Sequence, residues 1–254
     1  MNIVNDYRRQ FGWRAWPTVL AELPALAGRT VFDLGCGTGD LAAELSSRGA
    51  KVIGFDGNEA LLKHARERQA HVADFRACDL HTFSPSEPCD GVWCSFTAAY
   101  FPSLAERLQS WTSSLRPGGW IALTEVDNLF GHEPLGEQSR ALLDAYARQS
   151  LQANRYDFYM GRKLGAALVE AGFRVQTSLT LPDRELAFAG PAEPEVLLAW
   201  AARLDRMLLL QTFCGSEFAA LRNDFLSCLA SSEHRSTGSV VCCIAEKQSL
   251  SLGP

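Results

Sequence analysis

The chain contains 254 residues, 47% of them hydrophobic, and carries a formal net charge of −5. That length gives room for one large domain with a sizeable core, or for a domain with a cap. The acidic balance and the lack of a basic tract argue against a nucleic-acid partner. No run reaches the roughly 18 apolar residues of a membrane span, and "MNIVNDYRRQFGWRAW" lacks the apolar core of a secretory signal, so a cytoplasmic protein without stable membrane insertion is expected.

Residues 1–29 carry Tyr7, Phe11, Trp13 and Trp16 ahead of any strand and are expected to form an N-terminal helical lid. From residue 30 onward, strand and helix patterns alternate. "TVFDL" (30–34) is the first strand, and "GDLAAELSSRG" (39–49) repeats apolar residues at helical spacing and stops at Gly49. "KVIGF" (51–55) is the second strand, and the amphipathic "NEALLKHARERQA" (58–70) has Asn58 as its N-cap. Further strands are expected at 72–78, 90–96 and 120–126, with a helix at 103–115 ended by the turn "RPGG". This alternation predicts right-handed βαβ crossovers and a parallel sheet, whose ligands bind beyond the carboxyl ends of the strands.

The regularity breaks after Val126. Residues 127–160 read as an insertion with one helix and several aromatics, followed by a helix at 161–173 and a strand at 173–181. Residues 182–237 read as a second insertion, with a Pro-rich turn and two amphipathic helices. "SVVCCIAE" (239–246) is the last strand, and the tail after Lys247 is expected to fray. The eight cysteines are scattered, mostly in apolar runs, with no C-x-x-C pair and no histidines at zinc spacing, so they read as reduced core thiols and no metal site is expected.

Behind the first strand lies "VFDLGCGTGD" (31–40), where Gly35, Gly37 and Gly39 alternate with other residues. Glycine tolerates positive φ and lets a ligand approach where a Cβ would stand. The spacing is not the G-x-G-x-x-G of dinucleotide sites, because Asp40 stands where the third glycine belongs. An acidic helix start is unfavourable for a pyrophosphate, which argues against a nicotinamide oxidoreductase but not against a ligand without phosphate.

"VFDLGCGTG" resembles the first motif of the class I S-adenosylmethionine-dependent methyltransferases. The resemblance implies that Gly35, Cys36 and Gly37 wrap the methionine and ribose parts of S-adenosylmethionine while Asp33 holds its ammonium end. In "VIGFDGN", Asp56, followed by Gly57 and Asn58, would accept the ribose hydroxyls, by the same logic as the acidic residue of dinucleotide folds. In "RACDL", Asp79 would take the adenine amino group and the Leu80 N–H would face a ring nitrogen. "CDGVWCSFTAAYF" places Ser95 and Phe96 near the transferred methyl, and "LRPGGWIALTE" is similar to the family's turn into strand five. The motifs cover about residues 28–126, with 161–181 fitting more loosely. The implied fold is α/β: a Rossmann-like, seven-stranded, mostly parallel sheet with helices on both faces. In that reading 30–254 form the methyltransferase domain, with a helical cap from the insertions at 127–160 and 182–237. The last two strands of this fold commonly form a near-continuous antiparallel hairpin, whereas here about fifty-five residues separate them.

The implied reaction is in-line methyl transfer to a nitrogen, oxygen or carbon nucleophile of a small molecule, by a monomer or homodimer. Positioning and water exclusion are the enzyme's first tasks. A hydroxyl or acidic carbon acceptor needs a general base, and His132, just past strand five, is the first candidate. Tyr100 could contact cofactor or acceptor, Glu125 and Asp127 flank the end of strand five, and Tyr156 and Tyr159 could line a pocket. Tyr7 and Arg14 could close over the cofactor, whereas His64, His71 and His81 need no catalytic role. Two alternatives stand beside this reading. One is a catalytically silent S-adenosylmethionine-binding protein; the other is a methyltransferase for a lipid-like or macromolecular substrate, suggested by the leucine-rich "EVLLAWAARLDRMLLLQTF".

Overall fold

The computed structural model describes residues 3–248; the tail expected to fray lies, from residue 249 on, outside the described residues. The strands are β1 (Thr30–Leu34), β2 (Lys51–Asp56), β3 (Ala73–Ala77), β4 (Cys89–Ser95), β5 (Leu115–Asp127), β6 (His132–Glu133), β7 (Phe173–Leu181), β8 (Arg235–Ser236) and β9 (Ser239–Lys247). The helices are α1 (Ile3–Phe11), α2 (Trp16–Ala21), α3 (Asp40–Ser47), α4 (Glu59–Gln69), α5 (Leu104–Trp111), α6 (Glu137–Gln152), α7 (Leu164–Glu170), α8 (Pro194–Arg206), α9 (Leu208–Cys214) and α10 (Phe218–Ala230).

Seven strands form one sheet in the order β3-β2-β1-β4-β5-β9-β7. The first five pair in parallel, and β9 runs antiparallel between β5 and β7. The long separation of β7 from β9 in sequence does not disturb their pairing, which runs from Phe173 opposite Lys247 to Leu181 opposite Val240. The order reverses at β1 and β4, which places a crevice at their carboxyl ends. Alternation along the strands feeds two cores: Val31 and Trp93 pack on one face, Phe32 and Val92 on the other. With both faces covered, β1 reads as an apolar run after Thr30, broken only by Asp33.

Three local expectations change. The "RPGG" stretch belongs to β5, where a register shift between Cys89 and Gly91 of β4 and the φ of +72° at Gly118 absorb the irregularity. The preceding helix α5 therefore stops at Trp111. The segment "VLLAWAARLDRMLLLQTF" is not one helix: Met207, at φ −80° and ψ 65°, separates α8 from α9, so residues 182–237 hold three helices rather than two. Asn58 does cap α4, its side chain accepting the N–H groups of Ala60 and Leu61 at 3.0 and 3.3 Å.

The segments outside the sheet are tied to one another above the strand ends. The pairing of β6 with β8 joins the 127–160 and 182–237 segments, reinforced by a 2.7 Å ion pair from Arg235 to Glu133. A bridge from Arg14 to Asp183 joins the N-terminal segment to the second insertion.

Candidate functional site

The turn between β1 and α3 is fixed by two N–H groups, those of Gly35 and Cys36, which donate to the Phe55 carbonyl at 2.8 and 3.0 Å. Its backbone is bare for packing reasons as much as for access. At Gly35, φ is +75°, and a Cβ would lie 2.1 Å from Thr97 Oγ1; at Gly39, φ is +76°, and a Cβ would lie 2.7 Å from the ring of Phe75. Gly37 faces the crevice, with the Tyr7 ring of α1 over it at 3.3 Å from an added Cβ.

Three carboxylates flank this turn in different states. Asp33 is buried beneath it, and its Oδ2 has no hydrogen-bond partner. Burial, and then the charge of Asp56, push its pKa up to about 7. Asp56, at the tip of β2, accepts the N–H of Gly37 through Oδ2 and that of Asn58 through Oδ1, both at 2.8 Å. An ionised carboxylate offers about four acceptor positions, so these bonds leave capacity for two hydroxyls. Asp79, beyond β3, accepts the His81 N–H at 2.9 Å through Oδ1 and leaves Oδ2 open.

The turn, the strand tips and the cap enclose one cavity of about 1580 Å³. Pockets for one drug-sized ligand measure roughly 300–1,000 Å³, so this volume has room for a second molecule beside the first. One wall is acidic, with Asp40, Asp56 and Asp79. Tyr7 from α1 and Tyr156, Arg155 and Arg203 from the insertions also line the cavity, joined by Tyr100 from the turn after β4. Arg203 reaches Glu185 at 2.6 Å, and Arg14 holds Glu185 at 2.9 Å and Asp183 at 2.8 Å. The two arginines hold the Glu185 carboxyl down at about 2 against the upward push of burial. Phe96 adopts a φ of +52°, a strained value for a bulky residue, and lies under the Arg14 guanidinium at 4.8 Å and against Trp16 at 6.0 Å.

Of the residues expected from sequence, Gly35, Cys36, Gly37, Asp56, Gly57, Asn58, Asp79, Leu80, Ser95, Phe96 and Tyr100 meet at this cavity, as do Tyr7, Arg14, His81 and Tyr156. Asp33 sits just below it. Burial and two acidic neighbours, Asp33 and Asp56, push the Cys36 thiol far up, so Cys36 contributes shape and not a nucleophile. Asn58 spends its side-chain oxygen on the α4 cap.

His132 corrects the expectation. It is fully buried in β6, 3.0 Å from His234, among Trp200, Phe188 and Phe225, and does not line the cavity. Burial, then His234 and Arg140, lower its pKa to about 3, so it stays neutral at the joint between the two insertions, away from the cavity. Glu125 is likewise buried, accepting the N–H groups of Ala99 and Val126 at 3.1 and 2.9 Å, and burial raises its pKa to about 7. Through Ala99 it fixes the short turn that presents Tyr100. Asp127 is engaged by Arg162 at 2.7 and 2.9 Å, and Tyr159 lies beside that guanidinium, away from the cavity. His64 and His71 also lie off the cavity.

Sequence reading missed Arg203, Arg155, Glu185 and Asp183. Arg203 sits within an apolar helix pattern, and its partner Glu185 lies in an irregular stretch 18 residues earlier, so neither carries a local signal. Among the described residues, no group of three or more His, Cys, Asp or Glu could hold a metal ion, and no helix is long and apolar enough to cross a membrane.

A family model described as a methyltransferase domain matches residues 6–178. Trans-aconitate 2-methyltransferase of Streptomyces coelicolor is 33% identical over 134 residues, covering 48% of this chain and 44% of that one. Ubiquinone biosynthesis O-methyltransferase of Pseudomonas paraeruginosa is 29% identical over 168 residues, covering 63% and 71%. The chain spans about half the length of most curated relatives it matches. An S-adenosylmethionine-dependent methyltransferase from Mesorhizobium loti shares the fold at a TM-score of 0.56 and 18% identity, over 91% of this chain and 97% of that one.

Proposed function

The chain belongs to the class I S-adenosylmethionine-dependent methyltransferases, and from that premise we propose that it transfers a methyl group from S-adenosylmethionine to a small-molecule nucleophile. The observation that carries this reading is the single cavity shared by the glycine turn, two acidic strand tips and a cap. The residues fit the cofactor. The unpartnered, buried Asp33 Oδ2 offers an acceptor beneath the turn for an ammonium group, and Asp56 keeps lone pairs free for ribose hydroxyls. Asp79 Oδ2 and the Leu80 N–H suit the two hydrogen-bonding edges of adenine.

When bound, S-adenosylmethionine supplies an electrophilic methyl group on a sulfonium. The chain's own contribution is orientation and exclusion of water. The strand tips set the donor's position, Phe96 shapes the wall at the end of β4, and α1 lays Tyr7 over Gly37. Eight free cysteines support a reducing, cytoplasmic setting, and the net charge of −5 supports a chain that binds no nucleic acid. A lipid-like acceptor is the second reading, favoured by Leu208 and Leu209, which line the cavity yet are 67% and 53% exposed.

The test is calorimetric titration of the purified chain with S-adenosylmethionine and S-adenosylhomocysteine. Asp56→Ala is expected to weaken both by about tenfold or more, the loss of charge-assisted hydrogen bonds worth roughly 1.5–3 kcal/mol. Unchanged affinity in a folded variant would remove the ribose assignment, and no binding to the wild type would remove the whole reading.

A further inference from the structure

The cap segments, together with Tyr100 from the turn after β4, line the cavity with donors. Tyr7, Tyr100 and Tyr156 face the cavity, and among the described residues none of their hydroxyls makes a hydrogen bond within the protein. Tyr100 and Tyr156 meet edge to face at 4.8 Å. Beside them, Arg203 spends one nitrogen on Glu185, rests on the Trp200 ring at 5.2 Å and leaves a buried Nε without a partner.

A base is missing among these donors. Among the described residues lining the cavity, the carboxylates Asp40, Asp56 and Asp79 and the imidazole of His81 all belong to the cofactor side, at or next to the glycine turn and the β2 and β3 tips. Asp205 is held at 2.7 and 3.0 Å by Arg222. The tyrosines do not substitute for a base: burial raises all three above their ordinary value, so at neutral pH they stay protonated and donate.

Donors and a cation without a proton acceptor suit a nucleophile that arrives already ionised. With ordinary pKa values near 4 for a carboxyl, near 10 for a phenol and above 10 for an alkylammonium, only the carboxyl has already lost its proton at neutral pH without help. We propose that the methyl acceptor is a carboxylic acid whose carboxylate is held by Arg203 and the hydroxyls of Tyr7, Tyr100 and Tyr156, and that the product is its methyl ester. The proposal rests on the methyl-transfer reading above. A carboxylate oxygen uses a lone pair to form the bond to the methyl carbon. The carbon–sulfur bond breaks with its electron pair staying on sulfur, and a neutral ester and a neutral thioether result. No proton moves, so no base is required. The opposite charges of donor and acceptor cancel as the step proceeds, which exclusion of water favours. The acidic wall for the cationic donor and the basic wall for the anionic acceptor follow from the same division.

The experiment has two arms on the full chain. In the first, enzyme saturated with S-adenosylhomocysteine is titrated with carboxylic acids of up to about ten carbons, aliphatic and aromatic and including the tricarboxylate trans-aconitate, each beside its primary amide, within the size a pocket of this kind admits. In the second, methyl-labelled S-adenosylmethionine is supplied with the same compounds, and label released by alkali as methanol is counted. The proposal expects at least one acid to bind and to accept base-labile label, with its amide doing neither. Arg203→Met should raise the acid's Kd and KM by about tenfold or more, the worth of a charge-assisted hydrogen bond, while changing S-adenosylhomocysteine affinity less than about twofold. Glu185 keeps Arg14 and Gln10 as partners in that variant. Should Arg203→Met nevertheless fail to fold, the double variant Tyr100→Phe, Tyr156→Phe removes two donors without touching an ion pair and should raise KM in the same direction. Amides binding as well as acids, base-stable label, transfer only to amines or phenols, or tight S-adenosylhomocysteine binding with no acid accepted would each overturn the carboxylate assignment and leave the cofactor reading standing. Absence of S-adenosylhomocysteine binding would instead sink the reading beneath it.

Discussion

The two walls of the cavity are built by opposite means. The wall of strand tips is local: the glycine turn, Asp56 and Asp79 lie within a few residues of strand ends, and their hydrogen bonds go mostly to nearby backbone N–H groups. The cap wall is long-range: Arg14 meets Asp183 and Glu185 across 169 and 171 positions, and Arg206 meets Asp6 across 200. Strand tips are placed by the pairing of the sheet itself, whereas the cap is held by buried charges brought together across the length of the chain. Mutational cost should therefore concentrate in the cap even though the binding motifs lie opposite.

The sharpest break of that comparison is Glu185→Ala. Glu185 is fully buried and accepts from Gln10, Arg14 and Arg203, so its removal leaves Arg203 without its carboxylate partner. Truncating one member of such a network costs about 3–5 kcal/mol, a Tm decrease of roughly 6–20 °C for a chain of this size. Asp79→Ala on the opposite wall loses one exposed hydrogen bond and should cost about 1 kcal/mol or less. Thermal denaturation of both variants decides it; equal losses would mean that the buried network adds little.

The next effect reverses sign. Asp33 has a pKa of about 7 when folded, against an ordinary value of 3.8. Between these values the unfolded chain releases a proton that the folded chain keeps, so stability falls as pH rises through the window and stays lower above it. Asp33→Asn removes that penalty. It should be more stable than the wild type at pH 8 by about 1–4 kcal/mol, equal to it below about pH 4, and impaired in S-adenosylmethionine binding at every pH. Denaturation curves at pH 4 and pH 8 check it, and a gain that did not grow with pH would show that folding does not raise the pKa of Asp33.

These contrasts also explain what was legible in the sequence. The sheet was, and so was the meeting of the glycine turn with the acidic strand tips at one cavity, because strand period, a glycine turn and acids at strand ends are local patterns. The Asn58 cap followed from its neighbours alone. The break at Met207 was not visible, since "RLDRMLLLQ" keeps helical spacing across it and only the packing of α9 against α6 and α10 requires the bend. Arg203 was hidden in an apolar helix for the same reason. The "RPGG" turn misled because β4 continues to pair with β5 through a register shift that composition does not encode.

His132 is the most instructive miss and gives the smallest expected effect. Its position just after strand five was read correctly, but the side chain turns into the joint between the insertions, where it meets His234 at 3.0 Å and the Trp200 ring at 5.2 Å. A general base lost by mutation costs about 10²–10⁴ in rate. His132→Gln should instead leave kcat at pH 7.5 within about twofold of the wild type, since no proton-transfer term is lost. Its signature lies in stability. Burial, His234 and Arg140 hold the folded pKa at about 3 against an ordinary 6.5, so the wild type keeps this contribution above pH 6.5 and loses it as pH falls toward 3, where only the unfolded chain binds the proton. His132→Gln should flatten that slope. A collapse of kcat with unchanged stability at low pH would return His132 to the chemistry, and would require the two insertions to open around it.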